Sequence, residues 1–149
     1  MDAIVILSIG RIRRDKGINE LVRVFKKMTE ARKDIHLILQ GDYEDINPLY
    51  EDVIHEIRNC LKIHHISFNR RVDVAYAAAD IFAFPSHREG FGNVALEASA
   101  MQLPIVSCNV IGCRESVVNH VSGILVEKEN ENELNDALLL LVNDKNLRI

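Results

Sequence analysis

The chain has 149 residues, of which 48 % are hydrophobic and 27 % charged, with a net charge of −4. This length suits one domain with a real core, while mild acidity, no basic stripe and 5 % aromatics argue against nucleic acid as partner. No apolar run approaches the roughly 18 residues of a membrane span. "MDAIVILSIG" is short and followed at once by Arg11, Arg13 and Arg14 rather than a cleavage site, so no secretory signal is expected. Cys60, Cys108 and Cys113 lack metal-like spacing with His and are expected as reduced thiols in a cytoplasmic protein. Met1 stands just before an apolar run and Ile149 just after a helical pattern, which suggests a piece of a longer chain.

In chain order, short apolar runs alternate with helical patterns. Ala3 to Ile9 reads as a buried strand closed by Gly10. Ile18 to Ala31 carries Leu21, Val22, Phe25 and Met28 at helical spacing. Ile35 to Gln40 is a second strand ended by Gly41. Asn47-Pro48 then looks like a cap and first turn, with Leu49, Val53, Ile57 and Leu61 repeating every fourth residue. A strand from Ile63 to Phe68, a short helix near Asp73 to Ala79 and a strand from Ile81 to Phe84 follow. The remainder reads as a helix from Val94, a strand from Pro104 to Ser107, a brief helix near Glu115 to Val118, a strand from Gly123 to Val126 and a helix from Glu131 to Val142. The expected fold is therefore α/β, a Rossmann-like parallel six-stranded sheet with helices on both faces. Such sheets bind ligands outside the carboxyl ends of their strands, which directs attention to the loops 10–17, 41–47, 68–73, 85–93 and 108–114.

In "SHREGFGN" the glycines permit positive φ and close approach of a ligand. The N–H groups of about Phe91 to Val94 form an anion site at the start of the next helix. Glu97 lies one turn inside that helix, where its oxygens can accept from a vicinal diol, and Glu89 can reach another part of the same ligand. A diphosphate between a ribose and a sugar fits this order of groups. Gly-x-Gly before a helix is also a common turn, and a lone helical Glu is usually a solvated acid. The neighbours Ala95, Leu96, Ala98 and Ala100, however, make a poor exposed face, and a carboxylate there needs partners. "GFGNVA" matches the dinucleotide fingerprint, but three strands precede it and Pro85 to Glu89 intervene, so a dehydrogenase is not expected. Lys16-Gly17 is not a Walker loop. In "SIGRIRRDKG", Arg11 and Lys16 suit two neighbouring phosphates. Arg13, Arg14 and Asp15 read as solvated surface residues, "DYED" at 42–45 as a solvated turn rather than a metal site, and His64, His65 and His87 as uninvolved in catalysis for want of an acid at useful spacing.

"GRIRRDKG", followed by "ADIFAFPSHREGFGNVALEASAMQLPIV", "GCRES" and "GILV", resembles the retaining glycosyltransferases of two-domain GT-B fold (group 1, family 4). Nearly the whole chain resembles their carboxyl-terminal, nucleotide-sugar-binding half, most closely in members that build bacterial capsule or lipopolysaccharide. The resemblance implies a single donor-binding domain over residues 1–149, with the acceptor-binding half absent. It makes Arg11 and Lys16 the holders of the donor diphosphate and Glu89 the contact to donor-sugar hydroxyls. Phe91, Gly92 and Asn93 would hold phosphate through the backbone, with Gly10 and Gly90 beside them. Val94 would lie next to the nucleoside, Glu97 on the ribose and residues 68–71 along the base. It further implies a UDP-sugar donor, no cofactor or obligatory metal, and a glycan or lipid-linked acceptor carried by the other half. Peripheral association of the full-length protein with the inner face of the cell membrane is left open. Alternatives are a non-catalytic module of the same fold and a GT-B nucleotide-sugar epimerase. Gln102 and Cys113 stand where many relatives have Gly, which puts donor-pocket shape in question.

Overall fold

The computed structural model describes residues 3–148; Met1 and Ile149, on which the expectation about the chain ends rests, lie outside them. Six strands, β1 (Ile4–Ile9), β2 (Ile35–Gln40), β3 (Ile63–Ile66), β4 (Ile81–Phe84), β5 (Ile105–Cys108) and β6 (Gly123–Val126), form one sheet in the order β3-β2-β1-β4-β5-β6. Every neighbouring pair is parallel, β1 and β2 in register from Ile4↔Ile35 to Ile9↔Gln40. The helices are α1 (Ile18–Ala31), α2 (Glu51–Asn59), α3 (Val72–Ala77), α4 (Asn93–Ala100), α5 (Ile111–Ser116) and α6 (Glu131–Asn143).

Alternation along each strand divides the core in two. Ile4 and Ile6 of β1, Ile81 and Ala83 of β4 and Val106 of β5 face one cluster with α1, α2 and α6. Leu7, Ile9, Phe82, Phe84 and Ile105 face the other, with α3, α4 and α5. Helix α1 buries Ile18, Leu21, Val22, Phe25 and Met28, as its spacing dictates, each large side chain contributing about 1.5–3 kcal/mol of burial. Cover is incomplete at the β3 edge, where His64, His65 and Ile66 are exposed and His64 stacks on His36 of β2.

Several boundaries differ from the sequence reading. Asn47 has φ 59 and caps no helix; its carbonyl accepts from Arg14 N–H, and α2 starts four residues later at Glu51. Leu61 lies past the end of α2 and is 92 % exposed. Strand β3 stops at Ile66, whose carbonyl accepts from Gly41 N–H, because the chain then leaves the sheet to line a cavity. Helix α5 comes earlier than residues 115–118, since Val117 turns extended and enters the core.

The strand order reverses direction between β1 and β4, so the loops leaving these two strands diverge and open a crevice at their carboxyl ends. Both motif-bearing loops, 10–17 and 85–92, leave from that point.

Candidate functional site

The two loops are stitched together by hydrogen bonds and close backbone packing. His87 N–H donates to Asp15 O (2.9 Å), and Ser86 Oγ donates to Arg88 O at 2.9 Å and lies 3.3 Å from Asp15 O. Gly17, with φ +69, packs directly beneath Pro85: a Cβ there would sit 2.0 Å from the Pro85 carbonyl oxygen. Across this seam Lys16 Nζ donates to Glu89 Oε2 at 2.8 Å, both side chains largely buried.

A first cavity of about 300 Å³ opens over the seam. Gly10, Arg11, Lys16, Glu89, Phe91, Gly92, Asn93 and Val94 all line it. Gly92, with φ 74, turns the chain into α4, and a side chain at this position would collide with Ser116 Oγ. Among the described residues, the N–H groups of Phe91, Gly92, Asn93 and Val94 donate to no acceptor, while Ala95 N–H bonds back to Gly92 O. The cavity therefore pairs unpartnered donors at a helix N-terminus with an ammonium group, an arrangement that attracts an anion. Gly90 is the exception among the expected residues: it lines neither cavity, and the loop there lies against α5, with Gly112 beneath the carbonyls of Glu89 and Gly90.

A second cavity of about 530 Å³ adjoins the first and shares Ile9, Gly10, Arg11 and Val94 with it. Glu97 opens onto it together with Phe68, Asn69 and Arg70; Arg71 turns away and pairs with Asp73 at 3.0 Å. The Glu97 carboxylate is exposed at this opening rather than buried among its alanine neighbours, so the expected penalty does not arise. It does have a partner: Tyr76 Oη, 2.9 Å from Glu97 Oε2.

Other expectations are corrected. Arg13 is not a solvated cation, its side chain being 16 % exposed and held between Asp15 (2.6 Å) and Glu44 (3.0 Å). Arg14 lies over the Tyr50 ring at 5.1 Å, and Asp15 has a side chain only 25 % exposed. Glu44 of "DYED" is no free turn residue, since it also reaches Arg11 Nη1 at 3.6 Å. His87 does meet acids, Glu20 at 3.4 Å and Glu129 at 3.7 Å, brought by α1 and the loop before α6. The Glu20 carboxylate beside it raises its pKa against the opposing effect of burial. Gln102 and Cys113 line neither cavity. Gln102 occupies a turn with φ 61, and Cys113 is fully buried, its thiol pushed up by burial. Cys60, Cys108 and Cys113 are free thiols.

Sequence reasoning missed Tyr76, Glu44 and Gln40. Gln40 is 2 % exposed, its Oε1 has no partner, and it lines the second cavity. A polar residue closing the apolar strand "IHLILQ" at its carboxyl end was a usable signal; nothing in "DYED" marked Glu44. Among the described residues no three His, Cys, Asp or Glu side chains cluster to hold a metal ion, and no helix is long and apolar enough to cross a membrane.

A Rossmann-like sheet with a cationic, N–H-rich cleft at its switch point defines an α/β domain suited to a phosphorylated ligand. The chain belongs to the Glycosyl transferases group 1 family, whose pattern it matches over residues 1–149. It is 36 % identical over 150 residues to the capsular polysaccharide biosynthesis glycosyltransferase CapM of Staphylococcus aureus, covering 99 % of this chain and 39 % of CapM. Among solved structures it is similar to the C-terminal domain of the group 1 glycosyl transferase LpcC from Francisella tularensis (TM-score 0.87, 26 % identity, 99 % of this chain and 80 % of that one). It also shares its fold with Anabaena Alr3699/HepE in complex with UDP and glucose (TM-score 0.84, 22 % identity, 99 % and 40 %). The chain thus spans less than half the length of CapM and of HepE.

Proposed function

We propose that this chain is the donor-binding half of a retaining glycosyltransferase that takes a nucleoside diphosphate sugar, with UDP-sugar the favoured donor. The observation that carries the reading is the order of groups along the two joined cavities. Lys16, Arg11 and the free N–H groups of α4 stand where a diphosphate would lie, with Glu97 one helical turn away in the neighbouring cavity. The HepE complex, in which a protein of the same fold holds UDP and glucose, supports it.

In this reading the diphosphate lies across the start of α4 and is neutralised by Arg11 and Lys16 as the bond to the sugar breaks. Those two cations supply the charge stabilisation, and no metal is required. Glu89, released from Lys16 by the incoming phosphate, is free to accept from sugar hydroxyls on the reacting face. Glu97 accepts from the ribose diol, and residues 68–70 flank the base. A second domain brings a glycan or lipid-linked acceptor, and the product is a surface polysaccharide such as capsule, assembled in the cytoplasm at the inner face of the membrane. The likeness to CapM supports the polysaccharide product.

Calorimetric titration of the chain with UDP, GDP and NAD, on wild type and Glu97→Ala, tests the proposal. The expected result is binding of one nucleoside diphosphate, weakened in the variant by about 1.5–3 kcal/mol, the worth of a hydrogen bond to a charged group. Equal binding by the variant would remove Glu97 from the site, and tighter binding of NAD would overturn the donor reading.

A further inference from the structure

Glu97 projects from an exposed position on α4, where a Glu side chain ordinarily samples many rotamers. Here it is held. Tyr76, on α3, is 2 % exposed, and its ring packs on Phe82 with centroids 5.6 Å apart. Its Oη lies 2.9 Å from Glu97 Oε2 and 3.0 Å from the Val94 carbonyl oxygen. Both neighbours are acceptors and the phenol has one proton, so the carboxylate, as the stronger acceptor, takes it. Burial, then the hydrogen bond to Glu97 and its charge, push the phenol far above its ordinary range, so it remains a donor at any working pH. Among the described residues no other side chain hydrogen-bonds Glu97, which leaves Oε1 without a protein partner at the second cavity.

We propose that Tyr76 is the positioning residue for Glu97: it occupies Oε2, turns Oε1 toward the nucleoside, and so makes selection for an intact ribose diol a property of the pair. This deepens the nucleotide reading given above and rests on it. Tyr76 itself reaches no ligand. Its effect passes through the carboxylate, as preorganisation of an acceptor that would otherwise lose rotamer freedom on binding.

The test is calorimetric titration of the 149-residue chain with UDP and with 2′,3′-dideoxyuridine diphosphate, or with the guanine pair if the wild type binds GDP instead. Tyr76→Phe is expected to weaken UDP three- to tenfold and the dideoxy compound by less than twofold, with no further loss when added to Glu97→Ala. A second variant turns the argument into a sign. In Glu97→Gln the Tyr76 hydroxyl claims the amide oxygen and leaves the NH2 group facing the ribose, so UDP binding falls. Adding Tyr76→Phe frees the amide to turn, and the double variant is expected to bind UDP more tightly than Glu97→Gln alone. Equal losses when Tyr76→Phe is made in the wild type and in the Glu97→Ala variant, or no loss in either, would overturn the proposal while leaving the nucleotide site in place. A double variant weaker than Glu97→Gln would also overturn it. A wild type that binds neither UDP nor GDP overturns the nucleotide reading and this inference together.

Discussion

The two adjoining cavities are built on opposite plans. The first is floored by groups already bound to one another: Lys16 to Glu89 at 2.8 Å, loop to loop through Asp15, and Gly17 against Pro85. The second is walled by exposed loop residues such as Phe68 and Arg70, and its fixed features are single side chains: Gln40, which is buried, and Glu97, which Tyr76 holds from behind the cavity wall. A cleft that must handle a highly charged group gains from prearranged charges, because dipoles and cations fixed in place need not reorganise when the ligand enters. A wall meant to read a flat, less charged group depends more on shape, and loops supply shape with little constraint on residue type.

The sharpest way to break this comparison is Lys16→Ala. It should lower affinity for the nucleoside diphosphate by about 2–4 kcal/mol, since it removes a largely buried cation and leaves Glu89 unpaired. It should weaken inorganic pyrophosphate in parallel. Glu97→Ala, acting on the other cavity, should leave pyrophosphate binding unchanged while weakening the nucleotide, and calorimetry with both ligands separates the two. If both variants weaken pyrophosphate alike, the cavities are one site and the division fails. Chelation with EDTA should leave nucleotide affinity unaltered, sharpening the claim that Arg11 and Lys16 supply the positive charge.

Two smaller effects lie outside the cavities. Gln102 holds φ 61, a left-handed conformation that glycine adopts without strain. Gln102→Gly is expected to stabilise the fold by about 1 kcal/mol, a rise in Tm of about 2–4 °C, without changing nucleotide affinity. The smallest effect concerns His87, in the loop after β4, faced by Glu20, Glu129 and Lys128. The neighbouring Glu20 carboxylate lifts its pKa above 6.5 although burial opposes this, so its contribution is full below pH 6.5 and fades as pH rises through the folded value. Burial alone would raise the Glu20 carboxyl, but His87 holds it below 4.5, so that contribution is lost as pH falls through the lowered value. The stability difference between wild type and His87→Gln should therefore be greatest from about pH 4.5 to 6.5 and shrink by pH 8, as chemical denaturation across pH would show.

The difference between the cavities also explains what the sequence disclosed. The central strands were legible as short apolar runs because the sheet buries them on both faces, and α1 because burial enforces its helical stripe of Ile18, Leu21, Val22, Phe25 and Met28. The first cavity was legible because turning a strand into a helix N-terminus demands glycine at Gly92, with its positive φ and crowded neighbourhood. Tyr76 and Glu44 act through tertiary partners 21 and 31 residues away, and no local spacing encodes such a meeting. Asn47-Pro48 misled for a related reason: the asparagine carbonyl is needed by Arg14 N–H, and that long-range bond outweighed its preference for capping.

The seam between the two loops has a consequence for anyone recombining this domain with its relatives. Lys16 and Glu89 are 73 residues apart in the chain, yet they and the Gly17–Pro85 contact behave as a single machined part. A graft that imports the segment around Glu89 from another family member without its matching segment around Lys16 will arrive with one half of a joint. The two segments are better regarded as one heritable cassette, to be exchanged together or left alone.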